Sequence, residues 1–343
     1  MEEFRDPLTS LPQCASYPAP ESHASSELSS ILDDPDEWYE RRAAVLRLLH
    51  EDYVPHGPGD DTVKVLETFV VKLPKGGQLA IMSEIISLRD DQAKLRQLRN
   101  FLVDAILKPM MTAGGKQPQT PITSALFPDA EAEIEASMST IQASFRRNQG
   151  RLKAACLQRD GYRCAITGKV DAHWTHKVPQ TGRKGSRTQC AHILPFALRN
   201  FDEENACEKK NKATIWWALH RYFPELKDRI GPESINQHEN ALTMATQLHV
   251  ALGSFDLAFE PLGDEEDGVP EVVTLASGDP TVPLPDPEYF RVHLRISEIL
   301  DASGIREKIN DAWEKEGWDP ENPEPDGSTD VGTIFSRKML MNI

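Results

Sequence analysis

Residues 189–196 read QCAHILPF, and residues 239–261 read ENALTMATQLHVALGSFDLAFEP. The first is a short run of small and apolar residues stopped by Pro195, the pattern of a strand that ends at His192. The second opens on Asn240, runs through ALTM as a strand, and continues as TQLHVAL, a short helix closed by Gly253. A further strand is expected in LAFEPL. Strand, strand and helix thus carry His192, Asn240 and His249 in that order, with His249 nine residues past Asn240.

Outward from these stretches, the pattern predicts an α+β chain. GYRCAITG (161–168) is a β-branched and aromatic run between glycines, hence a strand. Upstream, a helix is expected from about 129 to 158, turning from acidic to basic along its length in the sense that complements its dipole. Residues 200–236 read as an insertion with a helical core, NKATIWWALHRYF. After residue 266 a strand is expected near EVVTL, then a helix in PEYFRVHLRISEILDASG and a second helix to about Gly317. Residues 1–35 are rich in Ser, Pro, Glu and Asp and read as disordered. Residues 36–111 form a separate helical N-terminal region, 112–128 a linker, and 319–343 an acidic, Pro-rich tail.

Composition narrows the function. The chain has 343 residues, 39% of them apolar, and 25 prolines. No apolar run is long and uncharged enough to span a bilayer, and the start MEEFRDPLTSLPQ lacks a secretory h-region. An intracellular protein is expected, cytoplasmic or nuclear and not secreted. Five cysteines with no CxxC pair fit a reducing compartment and argue against a disulfide framework or a four-cysteine zinc site. The net charge of −16 argues against general affinity for nucleic acid. That charge is unevenly spread, however. Between Arg146 and Cys190 there are eleven Lys and Arg against only Asp160 and Asp171, a local footprint for a polyanion. Trp216 and Trp217 are assigned to core or partner contact, because no Arg is expected on the same face to make a stacking platform. His173 and His176 are assigned to the surface of a polar loop.

Three segments together, CLQRDGYRCAITG, CAHILPF and ENALTMATQLHVALGSFDLAFEP, resemble the HNH endonuclease domain, in the variant found in fungal proteins. The resemblance covers about residues 152–262, within an expected domain of 129–265 that is followed by strand and helices over 266–318. It implies a ββα-metal unit and a hydrolase that cuts phosphodiester bonds with a divalent metal, Mg²⁺ first and Zn²⁺ or Mn²⁺ as alternatives. A neutral imidazole has a pKa near ~6.5 and can take a proton from water, which is the role implied for His192. His249 is then a metal ligand, and Asn240 either lends its oxygen to the metal or holds the loop that orients His192. Asp256 is a candidate third ligand. Arg159, Arg163, Lys169, Arg183, Lys184 and Arg187 would track the phosphate backbone of DNA, or of RNA. One departure stands out: Ala191 occupies the position before the base where many such sites carry a metal ligand. It keeps open a second reading, a catalytically silent HNH fold that binds nucleic acid, or a protein partner through the N-terminal helices.

Overall fold

A computed structural model describes residues 35–111, 121–122, 126–141, 147–176, 178, 185–199, 201, 204–260 and 272–315. The N-terminal region is helical: α1 (Pro35–Arg47), α2 (Thr62–Lys72), α3 (Lys75–Ser87) and α4 (Gln92–Leu102), the last continuing through a wider turn at Val103–Leu107 to Met111. Asp91 caps α4 by accepting from the Lys94 amide at 3.0 Å. The single long helix expected over 129–158 is two helices instead, α5 (Pro128–Thr140) and α6 (Arg147–Arg159).

The sheet has two strands, β1 (Thr188–His192) and β2 (Ala241–Ala245), antiparallel, with His192 opposite Ala241 and Ala191 opposite Leu242. α7 (Ala206–Tyr222) fills the connection between them, and α8 (Thr246–Gly253) follows β2 directly. α9 (Pro287–Ser303) and α10 (Ile305–Lys315) close the described chain, separated by Gly304 at φ +71°, a left-handed C-cap that a side chain would strain. Over the described residues of GYRCAITG, LAFEPL and EVVTL, the expected strands do not form. In the first, turns and one isolated bridge, Arg163 to Val170, take the place of a ladder. Residues 257–260 and 272–277 are irregular. Each run has the strand composition but no neighbour offering a row of backbone partners, and propensity alone cannot supply one.

The hydrophobic interior is continuous. Leu66, Phe69 and Ile85 of the N-terminal helices share it with Tyr222 of α7, Leu242 of β2 and Ile296 and Leu300 of α9. α7 also secures the turn that follows His192. Lys212 donates to the Ala197 carbonyl at 2.8 Å and the Trp216 indole N–H donates to the Leu198 carbonyl at 2.9 Å. Burial pulls the Lys212 ammonium down to about 7.

The far end of α8 is gripped by α9 and α10. His293 bonds the Leu252 carbonyl, Ser297 donates to the Phe255 carbonyl, and Arg306 donates to the Ser254 carbonyl. The His293 ring also stacks on Phe255 with centroids 4.3 Å apart. Burial, with Arg306 nearby, lowers its pKa to about 4, the Leu252 carbonyl opposing the shift. Since the unfolded ring takes up its proton near ~6.5, the unfolded state binds more protons than the folded one between the two values. Stability is therefore full above about pH 6.5 and falls as pH drops towards 4. We expect Tm to decline over that window and His293→Gln to flatten the decline; an equal decline in the variant would assign it elsewhere.

Candidate nuclease site on the strand–strand–helix unit

His192 ends β1 half-buried, its ring tilted 42° against Phe196 at 5.3 Å. Its Nε2 lies 2.9 Å from Oδ1 of Asn236. An amide oxygen only accepts, so the tautomer that completes this pairing carries its proton on Nε2 and its lone pair on Nδ1. Asn236 was not anticipated from sequence. It sits in INQHEN, a polar run ending the α7 insertion, and nothing in its spacing connects it to a histidine 44 residues earlier. Its other amide atom, Nδ2, is buried without a partner.

Asn240 is wholly buried, and each polar atom of its side chain is engaged. Oδ1 accepts the Leu194 amide at 2.8 Å, while Nδ2 donates to the Leu194 carbonyl at 3.0 Å and the Ile235 carbonyl at 2.9 Å. Its backbone carbonyl takes the Ile193 amide at 2.9 Å. Of the two roles expected for Asn240 the structure supports one: it ties the HILP turn to the start of β2 and the loop before it. The metal-ligand role is corrected, since a side chain with no exposed surface offers an ion no approach. Asn240→Ala would leave three backbone groups unpaired, a loss of about 2–4 kcal/mol. We expect Tm to fall accordingly, and Asn240→Asp, whose second oxygen cannot donate to the Leu194 and Ile235 carbonyls, to recover none of it; unchanged stability in the Ala variant would remove this role.

His249 lies on α8, which packs against both strands. It is half-buried and makes no hydrogen bond among the described residues, and burial lowers its pKa, favouring the neutral ring. A neutral, unbonded imidazole has the chemistry of a ligand. Asp256 does not add to it in this arrangement: its Oδ1 accepts from Arg306 at 2.9 Å and its Oδ2 from Ser254 at 2.6 Å, completing the grip on the end of α8. Ala191 is fully buried in the main core. Among the described residues no three His, Cys, Asp or Glu side chains come together as a metal site.

The expected phosphate contacts divide. Arg159 is 0% exposed and is corrected from phosphate ligand to structural group. It is clamped to Asp160 at 2.7 Å and donates to the carbonyls of His238, Pro283 and Ala241. Asp160 in turn accepts the Thr243 amide of β2 at 2.7 Å. Lys169 and Arg187 are exposed and Arg163 is half-buried. Arg183 and Lys184 lie outside the described residues. Cys190 packs on Cys156, while Cys164 accepts the Thr167 amide within its own turn. Trp216 is core, as expected, but Trp217 does carry an arginine: the Arg221 guanidinium lies 5.1 Å from its ring, and also pairs with Glu84.

Taken together, these elements define a helix-rich α+β protein with a small two-stranded sheet backed by a short helix, with imidazoles on the first strand and on the helix. The family model described as HNH endonuclease matches residues 164–260, which hold both histidines and Asn240. Neither the curated proteins nor the solved structures gave a match to the chain. Among the described residues, no helix is long and apolar enough to cross a membrane.

Proposed function

We propose that the strand–strand–helix unit is an HNH nuclease site of the ββα-metal type that hydrolyses nucleic-acid phosphodiester bonds, DNA being the expected substrate. The observation that carries this reading is the His192–Asn236 pair. The acceptor on Nε2 orients the ring and assigns the proton-accepting role to Nδ1, the arrangement a general base needs. His192 takes a proton from the attacking water. Asn240 keeps the strand end and its turn in place while it does so. His249 is the protein ligand for a divalent ion, which when bound would neutralise charge on the phosphate and leaving oxygen. A single imidazole is a better match for Mn²⁺ or Zn²⁺ than for Mg²⁺, which prefers oxygen donors. Lys169, Arg187 and Arg163 supply phosphate contacts at the surface.

Cleavage of plasmid and of linear duplex, titrated separately with Mg²⁺, Mn²⁺ and Zn²⁺, tests this. We expect the ion giving half-maximal cleavage to be needed at roughly 10- to 100-fold higher concentration in His249→Ala, by analogy with the loss of a metal-site contact. An identical ion dependence in that variant would remove His249 from the site. The buried alanine at 191 and the engaged Asp256 favour a second reading, a nucleic-acid-binding module without cleavage. Binding with no cut product under any of the three ions would establish it.

A further inference from the structure

The loop between α6 and β1 carries an aromatic ladder that the nuclease reading leaves unused. The rings of Tyr162 and Trp174 lie 4.5 Å apart at 32°, and those of Trp174 and His176 lie 6.2 Å apart at 14°. Tyr162 and Trp174 are half-buried and His176 at the outer end is exposed. The first pair is tilted and the second nearly parallel, and the outer ring is one against which a further flat ring can be added.

The ladder is firmly mounted. Gly161 and Tyr162 both take the left-handed conformation, at φ +62° and +58°. For a tyrosine this conformation is uncommon and persists only where surrounding bonds enforce it. Here the Tyr162 amide donates to the Leu157 carbonyl and the Tyr162 carbonyl accepts the Asp171 amide. Asp171, buried, accepts the amide and hydroxyl of Thr188 at the first residue of β1, and the His173 amide. The Trp174 amide donates to the Asp171 carbonyl. The ladder and the strand that ends at His192 are thus joined through one carboxylate.

Basic residues flank it along the chain. Arg163 follows Tyr162 directly, Lys169 precedes the 170–172 segment, and Arg187 follows Ser186, which pairs with that segment. Stacked rings beside positive charge are what an unpaired nucleotide requires: a π-face for the base and a cation for the phosphate. In a duplex the base faces are already covered by their neighbours.

We infer that the Tyr162–Trp174–His176 ladder stacks unpaired bases, so that the substrate of this module is single-stranded or locally unpaired nucleic acid. The inference rests on the nuclease reading above for its substrate class and sharpens it.

The test is fluorescence anisotropy with the full chain in EDTA, which keeps strands intact. The probes are a labelled 15-nucleotide oligo-dT, the matching oligo-U, and a 15-base-pair duplex. Wild type is expected to bind the single strands about tenfold more tightly than the duplex. Trp174→Ala should remove that preference and leave duplex binding in place, while Trp174→Phe retains it. His176→Ala, at the exposed end and outside the core, should give a smaller loss in the same direction even if the tryptophan variant folds poorly. The two single strands separate DNA from RNA. Equal wild-type affinity for strands and duplex, or a preference unaffected in Trp174→Ala and His176→Ala, would overturn the ladder and leave the nucleic-acid reading intact. Absence of binding to all three probes would overturn both.

Discussion

His192→Ala should abolish cleavage, by about 10²- to 10⁴-fold, with Tm close to wild type and nucleic-acid binding retained. The ring sits half-buried at a strand end and its removal opens no core cavity, so a loss of rate would report chemistry rather than folding. The informative companion is Asn236. It touches the imidazole at Nε2, opposite the nitrogen assigned to take the proton from water, so it acts through His192 as a positioning residue. Asn236→Leu, similar in volume but unable to accept, should lower kcat by tenfold or more with KM little changed. Asn236→Asp, which still accepts from Nε2–H and whose charge favours the protonated ring, should retain most of the rate and move the rising limb of the pH–rate profile upward. A structural role alone would leave that limb where it was. Full cleavage by His192→Ala would end the general-base assignment, and equal rates for the Leu and Asp variants would end that of Asn236.

What could be read from the chain alone depended on how local the cause was. β1, β2 and α8 were legible because alternation, a turn-forming Asn and a closing Gly lie inside a dozen residues. So were the two C-terminal helices, whose apolar spacing repeats over several turns. GYRCAITG misled because its composition is that of a strand while its backbone is spent on three left-handed residues, Gly161, Tyr162 and Gly168, and a tight turn. Asn240 could be placed but not given a role, since choosing between ligand and loop-holder requires knowing where Leu194 and Ile235 stand. Asn236 was invisible, because a partnership across 44 residues leaves no periodic trace. His173 and His176 were read as loop surface for the same reason, and Trp174 between them was given no role. The significance of Trp174 and His176 comes from Tyr162, twelve residues before the tryptophan, being turned to face it.

Arg159→Ala should cost about 3–5 kcal/mol of stability, the largest loss expected from any single substitution among the cations of the basic stretch. A basic residue in a basic stretch reads naturally as a phosphate contact, and burial reverses that reading. The guanidinium joins four segments: its own helix end through Asp160, the turn at His238, the first residue of β2, and the loop at Pro283. Removing it leaves the Pro283 and Ala241 carbonyls without a donor, the His238 carbonyl with only the Ala241 amide, and Asp160, only 5% exposed, without its counter-charge, although that carboxylate must still hold the Thr243 amide. Lysine cannot substitute, because one ammonium cannot span directions that a planar fork with five N–H groups reaches. For a domain of this size the loss corresponds to a fall in Tm of about 10 °C. Arg187→Ala supplies the contrast. Its side chain is exposed, so stability should change by no more than about 0.5 kcal/mol. Nucleic-acid affinity should weaken instead, with the slope of log affinity against log salt reduced by about one. If Arg159→Ala kept its Tm and lost only the salt slope, the two arginines would have to exchange roles, and the clamp between α6 and β2 would no longer account for how His192 is held.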